Sequence, residues 1–333
     1  MAALEGYVSD QQAKRHHYVP ITYLSRFTDS LGRIFAYPKD TPATTFHVKP
    51  REIAFERYYY SQPLPEGGQD NNKLERLFSE MESHWPSLVD DLAAKHDVHS
   101  RMEALFQFIG LLRVRVPASR DPMELQLAHF ARREMMRMLA DGDLPALPDG
   151  LTSGDIELSV DPHQSIHAMV SSLRGFAQLL NFITLEVVHN TSTVAFISSD
   201  NPVVVFDLDM PEANMLPYTV RPPEGRIELL LPITPRLLLR GRSKPPLVGE
   251  HLRHVEMSAG FDVRRVNRYV ARFGYRFVFA NHSGLTPLVT KYGATSPTIR
   301  FDVMPDGEGG EFSFSQMVFG PRPQKPKWRS ERE

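Results

Sequence analysis

The stretch TVAFISSDNPVVVF, residues 193–206, marks the point at which the character of the sequence changes. Two apolar runs rich in β-branched residues flank a polar turn, which is typical of two strands and their connection. We therefore predict strands at Thr193–Ile197 and Val203–Phe206. Further along, Glu228–Ile233 and Arg236–Arg240 are short β-rich runs separated by turns that contain proline. Together the four runs predict a mainly antiparallel sheet in the second half of the chain.

The residues before this stretch carry signals of helices instead. Asn72 precedes apolar residues at helical spacing, and Pro86 interrupts or restarts that helix. Further helix starts, each an N-cap residue followed three positions later by an acid or amide, are predicted at Ser100, Asp121 and Asp161. Proline directly follows Asp121 and Asp161, where it is tolerated because the first helical residue needs no N–H partner. The middle of the chain is therefore predicted to be helical.

Further strands are predicted before and after these two regions. Arg33–Tyr37 and Thr44–Val48, joined by a connection that contains proline, predict an N-terminal β-hairpin. A late helix at Asp262–Arg272 and a strand at Arg276–Ala280 follow the predicted sheet. Runs of helices followed by runs of strands, without alternating βα units, are typical of α+β proteins. We expect an α+β fold in which the helical middle region packs with the mainly antiparallel sheet and the hairpin.

The same pattern sets the domain organisation. We expect a single domain over residues 1–320, helix-rich over 70–190 and strand-rich over 193–320. Residues 321–333 are rich in proline and basic side chains and almost devoid of apolar ones. Such a composition does not bury enough apolar surface to fold, so we expect a disordered basic tail.

Bulk composition excludes several classes of function. The 333 residues are 41% hydrophobic and 23% charged, as in globular proteins, and the net charge of −2 gives no overall bias toward nucleic acid or membranes. The chain has no cysteine, which excludes disulfides, thiolate nucleophiles and iron–sulfur clusters. It shows neither a secretory signal nor an apolar run of about 18 residues, so we expect a cytoplasmic protein that does not associate with membranes.

The densest polar and aromatic cluster is KRHHYVP, residues 14–20. In an extended segment His16 and His17 point to opposite sides, so at most one enters a given site. We consider both as candidate catalytic residues, His17 as a candidate metal ligand and Tyr18 as a candidate substrate contact. The alternative is that the histidines cap local structure while the neighbouring aromatic residues anchor the N-terminus to the core.

The second polar cluster is SSDNP, residues 198–202, between two predicted strands. Asp200 is a candidate general base or metal ligand, Asn201 a candidate catalytic residue that stabilises developing charge, and Ser199 a candidate substrate contact. Aspartate, asparagine and proline are also the residues that turns use for purely local reasons. An Asx-type turn without chemistry is therefore the alternative.

Arg113 and Arg115 lie near the end of a predicted helix and are candidate substrate-binding residues, because guanidinium groups hold phosphates well. Cations near a helix C-terminus also complement the helix dipole, so a structural role stays open.

The two clusters are similar to the motifs of the domain of unknown function 4238 family. The similarity rests on residues 16–20, 23–24 and Phe27, together with residues 199–202. Membership implies a single family-wide unit, found mostly in prokaryotes, without an assigned reaction.

Two functions follow from these residues, and the sequence leaves open whether the protein is an enzyme. The first is a metal-assisted phosphodiester hydrolase, similar to nucleases, in which His17 and Asp200 hold a divalent metal and Arg113 or Arg115 holds a phosphate of nucleic acid. The second is a non-catalytic module whose helical half binds a protein partner and whose two motifs are structural. An open polar cleft favours the first function, and burial of both motifs favours the second.

Overall fold

The computed structural model describes residues 14–64, 67–222, 224–243, 252–305 and 311–324, and it has the predicted α+β class. The helices are α1 Ile21–Leu24, α2 Lys73–Ser83, α3 Trp85–Ala93, α4 Met102–Val114, α5 Pro117–Asp141, α6 Pro162–Leu180, α7 Gly260–Phe273 and α8 Thr286–Tyr292. The strands are β1 Arg15–His17, β2 Ile34–Pro38, β3 Phe46–Val48, β4 Phe55–Arg57, β5 Gln62–Pro63, β6 Gln69–Asp70, β7 Ile183–Asn190, β8 Ser198–Ser199, β9 Val204–Asp207, β10 Ile227–Thr234, β11 Leu237–Ser243, β12 Arg253–Met257, β13 Phe277–Ala280, β14 Ser296–Pro305 and β15 Glu311–Gly320.

A five-stranded sheet in the order β12-β7-β11-β10-β9 lies at the centre of the protein. Its neighbouring strands are antiparallel except β12, which runs parallel to β7. Both faces are buried, because alternate residues of β10 belong to two different cores. Leu229 and Leu231 pack in one core with Trp85, whereas Leu230 packs in the other with Val266 of α7. This double burial explains why β10 is continuously apolar from Leu229 to Ile233 instead of alternating with polar residues.

A second sheet in the order β3-β2-β13-β8 joins strands that are distant in sequence. The predicted hairpin of β2 and β3 is confirmed, and β13 pairs with β2 so that Ala36 lies opposite Phe279. Strand β8, which begins the SSDNP cluster, pairs with the other edge of β13. The N-terminal hairpin and the cluster at residues 198–202 therefore share one sheet.

Of the three helix starts predicted from capping residues, one is confirmed, one is wrong and one is displaced by a single residue. Asp161 caps α6, where its carboxylate accepts the N–H of His163. Helix α5 does not begin at Asp121; it begins at Pro117, and the residue after Asp121 is a proline inside the helix. The Asp121 carboxylate is used elsewhere, since it accepts the hydroxyl of Tyr275 at 2.8 Å. The N-cap predicted at Ser100 is displaced by one residue, because a short 3-10 turn comes first and Arg101 precedes the first residue of α4.

The strand predicted at Thr193–Ile197 is wrong, because the backbone of this run pairs largely with side chains. Asn190 donates to the carbonyl of Val194, and Asn267 both accepts the N–H of Ile197 and donates to the carbonyl of Ala195. The run is therefore an extended loop, and the strand on this side of the sheet is β7, which the sequence pattern did not predict.

The last described segment is the β14–β15 hairpin, which packs against α5 and was also not predicted. Most of the tail predicted to be disordered, residues 325–333, lies outside the described residues. Within the described chain, no helix combines the length and the apolarity that crossing a membrane requires.

Candidate functional site

The two histidines of the first cluster point to opposite sides of β1, as predicted for an extended segment. His16 is fully buried, stacks on the ring of Tyr60, and accepts the backbone N–H of Tyr60 at Nδ1 over 2.8 Å. His17 is partly buried, and its Nε2 donates to the carbonyl of Arg51 at 3.2 Å. Burial lowers the pKa of His17, and the positive charge of Arg115 lowers it further. Both imidazoles are thus held by backbone groups of the chain.

Arg115 is buried and forms hydrogen bonds with α2, with β1 and with Tyr60. Its guanidinium forms an ion pair with Glu82 of α2, donates to the carbonyl of His17, and donates to the hydroxyl of Tyr60 at 3.2 Å. The N–H donors of the guanidinium are therefore used by groups inside the protein. The substrate-binding role predicted for Arg115 is not favoured by these contacts, and Arg115 is not among the described residues that line the cavity beside Arg113.

Asp200 of the second cluster is also buried and bound by backbone groups. Its two carboxylate oxygens accept the N–H groups of Tyr275 and Arg276, each at 2.8 Å. Burial raises the pKa of Asp200, and these hydrogen bonds oppose the rise. Ser199 is buried opposite Val278 in the β8–β13 pairing. The cluster therefore fixes the chain that leads into β13.

The two motifs meet in a network of buried and half-buried charges. Burial raises the pKa of the Tyr18 hydroxyl, and the negative charge of Asp200 raises it further. Arg276 forms an ion pair with Glu56 of β4 and lies 3.8 Å from the carboxylate of Asp121. Among the described residues, no group of three or more His, Asp or Glu side chains has the geometry to hold a metal ion.

Lys39 is almost completely buried and interacts electrostatically with Asp200. Its Nζ donates to three backbone carbonyl groups, those of Gly274 at 2.7 Å, Thr295 at 2.5 Å and Arg272 at 3.3 Å. Burial lowers the pKa of Lys39 to about 7, against the opposing effect of Asp200. Lys39 and Asp200 therefore bind backbone groups of neighbouring residues, Gly274 and Tyr275, directly before β13.

The low pKa of Lys39 predicts a specific pH dependence. The unfolded chain holds this proton up to the ordinary pKa of 10.5, whereas the folded state releases it near 7, so the folded state binds fewer protons between these values. The contribution of Lys39 to stability is therefore least favourable below about pH 7 and improves as the pH rises. We expect Lys39→Met to remove this dependence. Urea unfolding of wild type and variant at about pH 7 and pH 9 measures the difference.

Lys73→Met serves as the control, because Lys73 is an exposed lysine at the start of α2. Relative to wild type, the Lys39 variant should lose free energy of unfolding as the pH rises, and the Lys73 variant should not. A difference between Lys39→Met and wild type that stays constant with pH would show that Lys39 keeps its ordinary pKa.

A cavity of about 380 Å³ opens beside Arg113. Its walls come from helices α4, α5 and α6, from β9 and from the β14–β15 hairpin. Its lining residues are Arg113, Val114, Ala118, Ser119, Pro122, Met123, Gln126, Ser172, Gly175, Phe176, Leu179, Val205, Tyr218, Ile299, Ser315 and Met317. Most of these side chains are apolar, and a few hydroxyl and amide groups accompany the single charge. A cavity of this size and composition is typical of small-molecule sites.

The second cluster reaches this cavity through Asn201. The Asn201 side-chain amide donates to the hydroxyl of Tyr218 at 2.5 Å and to the carbonyl of Phe273 at 2.7 Å. The Tyr218 ring then lies under the guanidinium of Arg113, 3.5 Å from its centre. The cluster at residues 198–202 is therefore connected to the charged wall of the cavity by one intervening side chain.

Comparison with known proteins supports the family assignment. A sequence model described as protein of unknown function (DUF4238) matches residues 15–284. The chain belongs to the DUF4238 family. No curated protein and no solved structure matches the chain. Membership confirms the resemblance without supplying a reaction, and the matched range of this DUF4238 chain ends before the β14–β15 hairpin.

The surroundings of Arg113 in this DUF4238 chain differ from those of Arg115, which follows α4 and is paired with Glu82. Arg113 donates to the Ser119 hydroxyl at 3.0 Å, and among the described residues no carboxylate forms an ion pair with it. Burial lowers the pKa of Arg113, and the tyrosine beside it opposes this. A guanidinium carries five N–H donors and stays charged in proteins, so several donors remain for a ligand.

The sequence identified Arg113 but not the side chains that surround it. Tyr218 lies in a loop outside every motif and has a left-handed backbone with φ of 58°. Ser119 and Gln126 lie on α5, and Ser315 comes from the unpredicted hairpin. The sequence places Ser119 only six residues after Arg113, but two polar residues at such a spacing are too common in sequences to predict a binding site.

Proposed function

We propose that this DUF4238 protein is a non-catalytic binding protein for a small organic anion, with the cavity beside Arg113 as the binding site. The observation that carries the proposal is a guanidinium without a carboxylate partner among the described residues, in the wall of a largely apolar cavity. A charge removed from water is costly unless it is paired. A ligand carboxylate or phosphate supplies that pairing.

The surroundings of Arg113 favour an anion with an apolar body. Guanidinium groups bind carboxylate and phosphate through two parallel hydrogen bonds. Ser119 lies in the first turn of α5, whose N-terminus carries the positive end of the helix dipole. Val205 and Met317 belong to the apolar part of the lining, where an apolar group leaves water. The ligand therefore needs a charged end and a hydrophobic end.

The two motifs support this function as structural elements. A hydrolase that uses His17 and Asp200 would require both side chains to face a substrate. Here the His17 imidazole is bonded to a carbonyl group, and both Asp200 oxygens accept backbone N–H groups. Their contacts favour the alternative in which the motifs hold the structure together, and Asn201 in particular positions Tyr218 below Arg113.

Removing the charge of Arg113 is expected to abolish anion selectivity. Hexanoate serves as the probe and hexanol as its uncharged counterpart, and isothermal titration calorimetry measures both. We expect wild type to bind hexanoate at least about tenfold more tightly than hexanol, because a hydrogen bond to a charged group contributes about 1.5–3 kcal/mol. Arg113→Met keeps an unbranched, largely apolar side chain but removes the guanidinium and its charge, so the preference should disappear.

The matched control is Arg137→Met, which removes an exposed arginine of α5 far from the cavity lining. This variant should retain the preference for hexanoate, and thermal melts verify that both variants fold. Equal affinity of wild type for hexanoate and hexanol, or an unchanged preference after Arg113→Met, would refute the proposed site.

A further inference from the structure

A second cavity of about 550 Å³ lies along the same pair of helices, α4 and α6. It is lined mainly by apolar side chains, which include Met102, Phe106, Leu173 and Leu180. Two of the described lining residues, Glu103 and Arg174, are charged, and both are exposed to solvent. The second cavity therefore offers mainly apolar surface, which suits hydrocarbon.

Phe176 is the one described residue that lines both cavities. The helices approach closely beside it, since a Cβ atom on Gly110 would lie 2.6 Å from the side chain of Leu173 and 3.9 Å from that of Phe176. Gly110 precedes Arg113 by about one helical turn. Phe176 thus forms part of the wall of both the Arg113 cavity and the second cavity.

The distances along α4 fit a chain-like ligand. Both cavities use residues of this helix, from Met102 at its start to Arg113 near its end. At 1.5 Å per residue these two positions are about 16 Å apart along the helix axis. An extended hydrocarbon chain of about twelve carbons covers such a span. A head group at Arg113 therefore places its tail toward Met102 once the Phe176 ring moves aside.

We infer that the ligand is a long-chain amphiphilic anion, whose acidic head pairs with Arg113 and whose alkyl tail occupies the second cavity. The inference rests on the proposed function, because the head group requires the Arg113 site. It adds the class of ligand: a fatty-acid-like chain in place of a compact anion.

The experiment compares dodecanoate, below its micelle-forming concentration, with hexanoate by isothermal titration calorimetry. We expect wild type to bind dodecanoate at least tenfold more tightly, because additional methylene groups are buried. Ala177→Phe places an aromatic ring on an exposed position of α6 at the rim of the second cavity. This variant should lose the gain for dodecanoate and keep its affinity for hexanoate.

Two further variants keep the test decisive. Gln107→Phe fills the second cavity from α4 and should act like Ala177→Phe, which covers the case that one variant does not fold. Ala131→Phe makes the same exchange at an exposed alanine of α5 that lines neither cavity, and it should retain the gain.

Each outcome has a separate meaning. If hexanoate binds through Arg113 but dodecanoate binds no more tightly, the chain-length inference fails and the anion site stands. If the gain for dodecanoate persists in both filled variants, or is lost equally in Ala131→Phe, the tail lies elsewhere and the inference also fails. If neither anion depends on Arg113, the proposed function and the inference fail together.

Discussion

Asp200→Ala is expected to lower the free energy of unfolding by about 4 kcal/mol, because one buried and one partly buried N–H group lose their acceptors at about 1–3 kcal/mol each. These are the N–H groups of Tyr275 and Arg276, directly before β13. The substitution also leaves Lys39 without the nearby negative charge that favours its ammonium form. Urea unfolding followed by circular dichroism measures the loss.

Asp200→Asn refines this test, since its side chain is nearly isosteric. An amide offers one oxygen acceptor and would direct its own N–H groups at the second donor, so the variant should also be destabilised. Asp143→Ala, at an exposed position after α5, should change stability little. Comparable stability of Asp200→Ala and Asp143→Ala would contradict the structural role of Asp200.

Arg115→Met is the second substitution with a large expected effect, a loss of about 3–5 kcal/mol in the free energy of unfolding, the range for breaking a buried ion pair. The loss arises because the Glu82 carboxylate stays largely buried without its cation, and the carbonyl of His17 loses a donor. Methionine retains much of the aliphatic volume, so packing changes little. Chemical unfolding measures the difference from wild type.

The control for Arg115 is Arg137→Met, which removes an ion-paired but exposed arginine of α5. Exposed ion pairs contribute little to stability, so this variant should unfold nearly like wild type. A stable Arg115→Met variant that instead lost affinity for hexanoate would contradict the assignment and restore Arg115 as a ligand-binding residue.

The sequence predicted those parts of the fold that depend on local signals. The cap at Asp161 and the hairpin of β2 and β3 were found because their determinants lie within a few residues. The run Thr193–Ile197 was taken for a strand because its composition is that of one. Its actual partners, Asn190 and Asn267, form hydrogen bonds across the fold that no local pattern contains.

The sequence indicated arginine as the residue type of the candidate site, but it did not indicate which arginine lines the cavity or which side chains surround it. Arg113 and Arg115 look equivalent in sequence, yet positions two apart on a helix point about 200° away from each other. One guanidinium therefore lines the cavity, and the other is enclosed between β1 and α2. Tyr218 was missed because its role depends on Asn201, which the sequence indicated only as a possible catalytic residue.

The pairing of β2 with β13 has a consequence for the ribosome-bound chain. Ala36 lies opposite Phe279, so β2 cannot find this neighbour until almost the whole described chain has been synthesised. At about 5–20 residues per second, the interval between these residues lasts roughly 10–50 s. During that time one edge of the nascent hairpin has unpaired backbone groups, which are a template for another strand. Translation speed and chaperone access therefore bear on the yield of this protein more than on that of a protein whose strands pair with near neighbours.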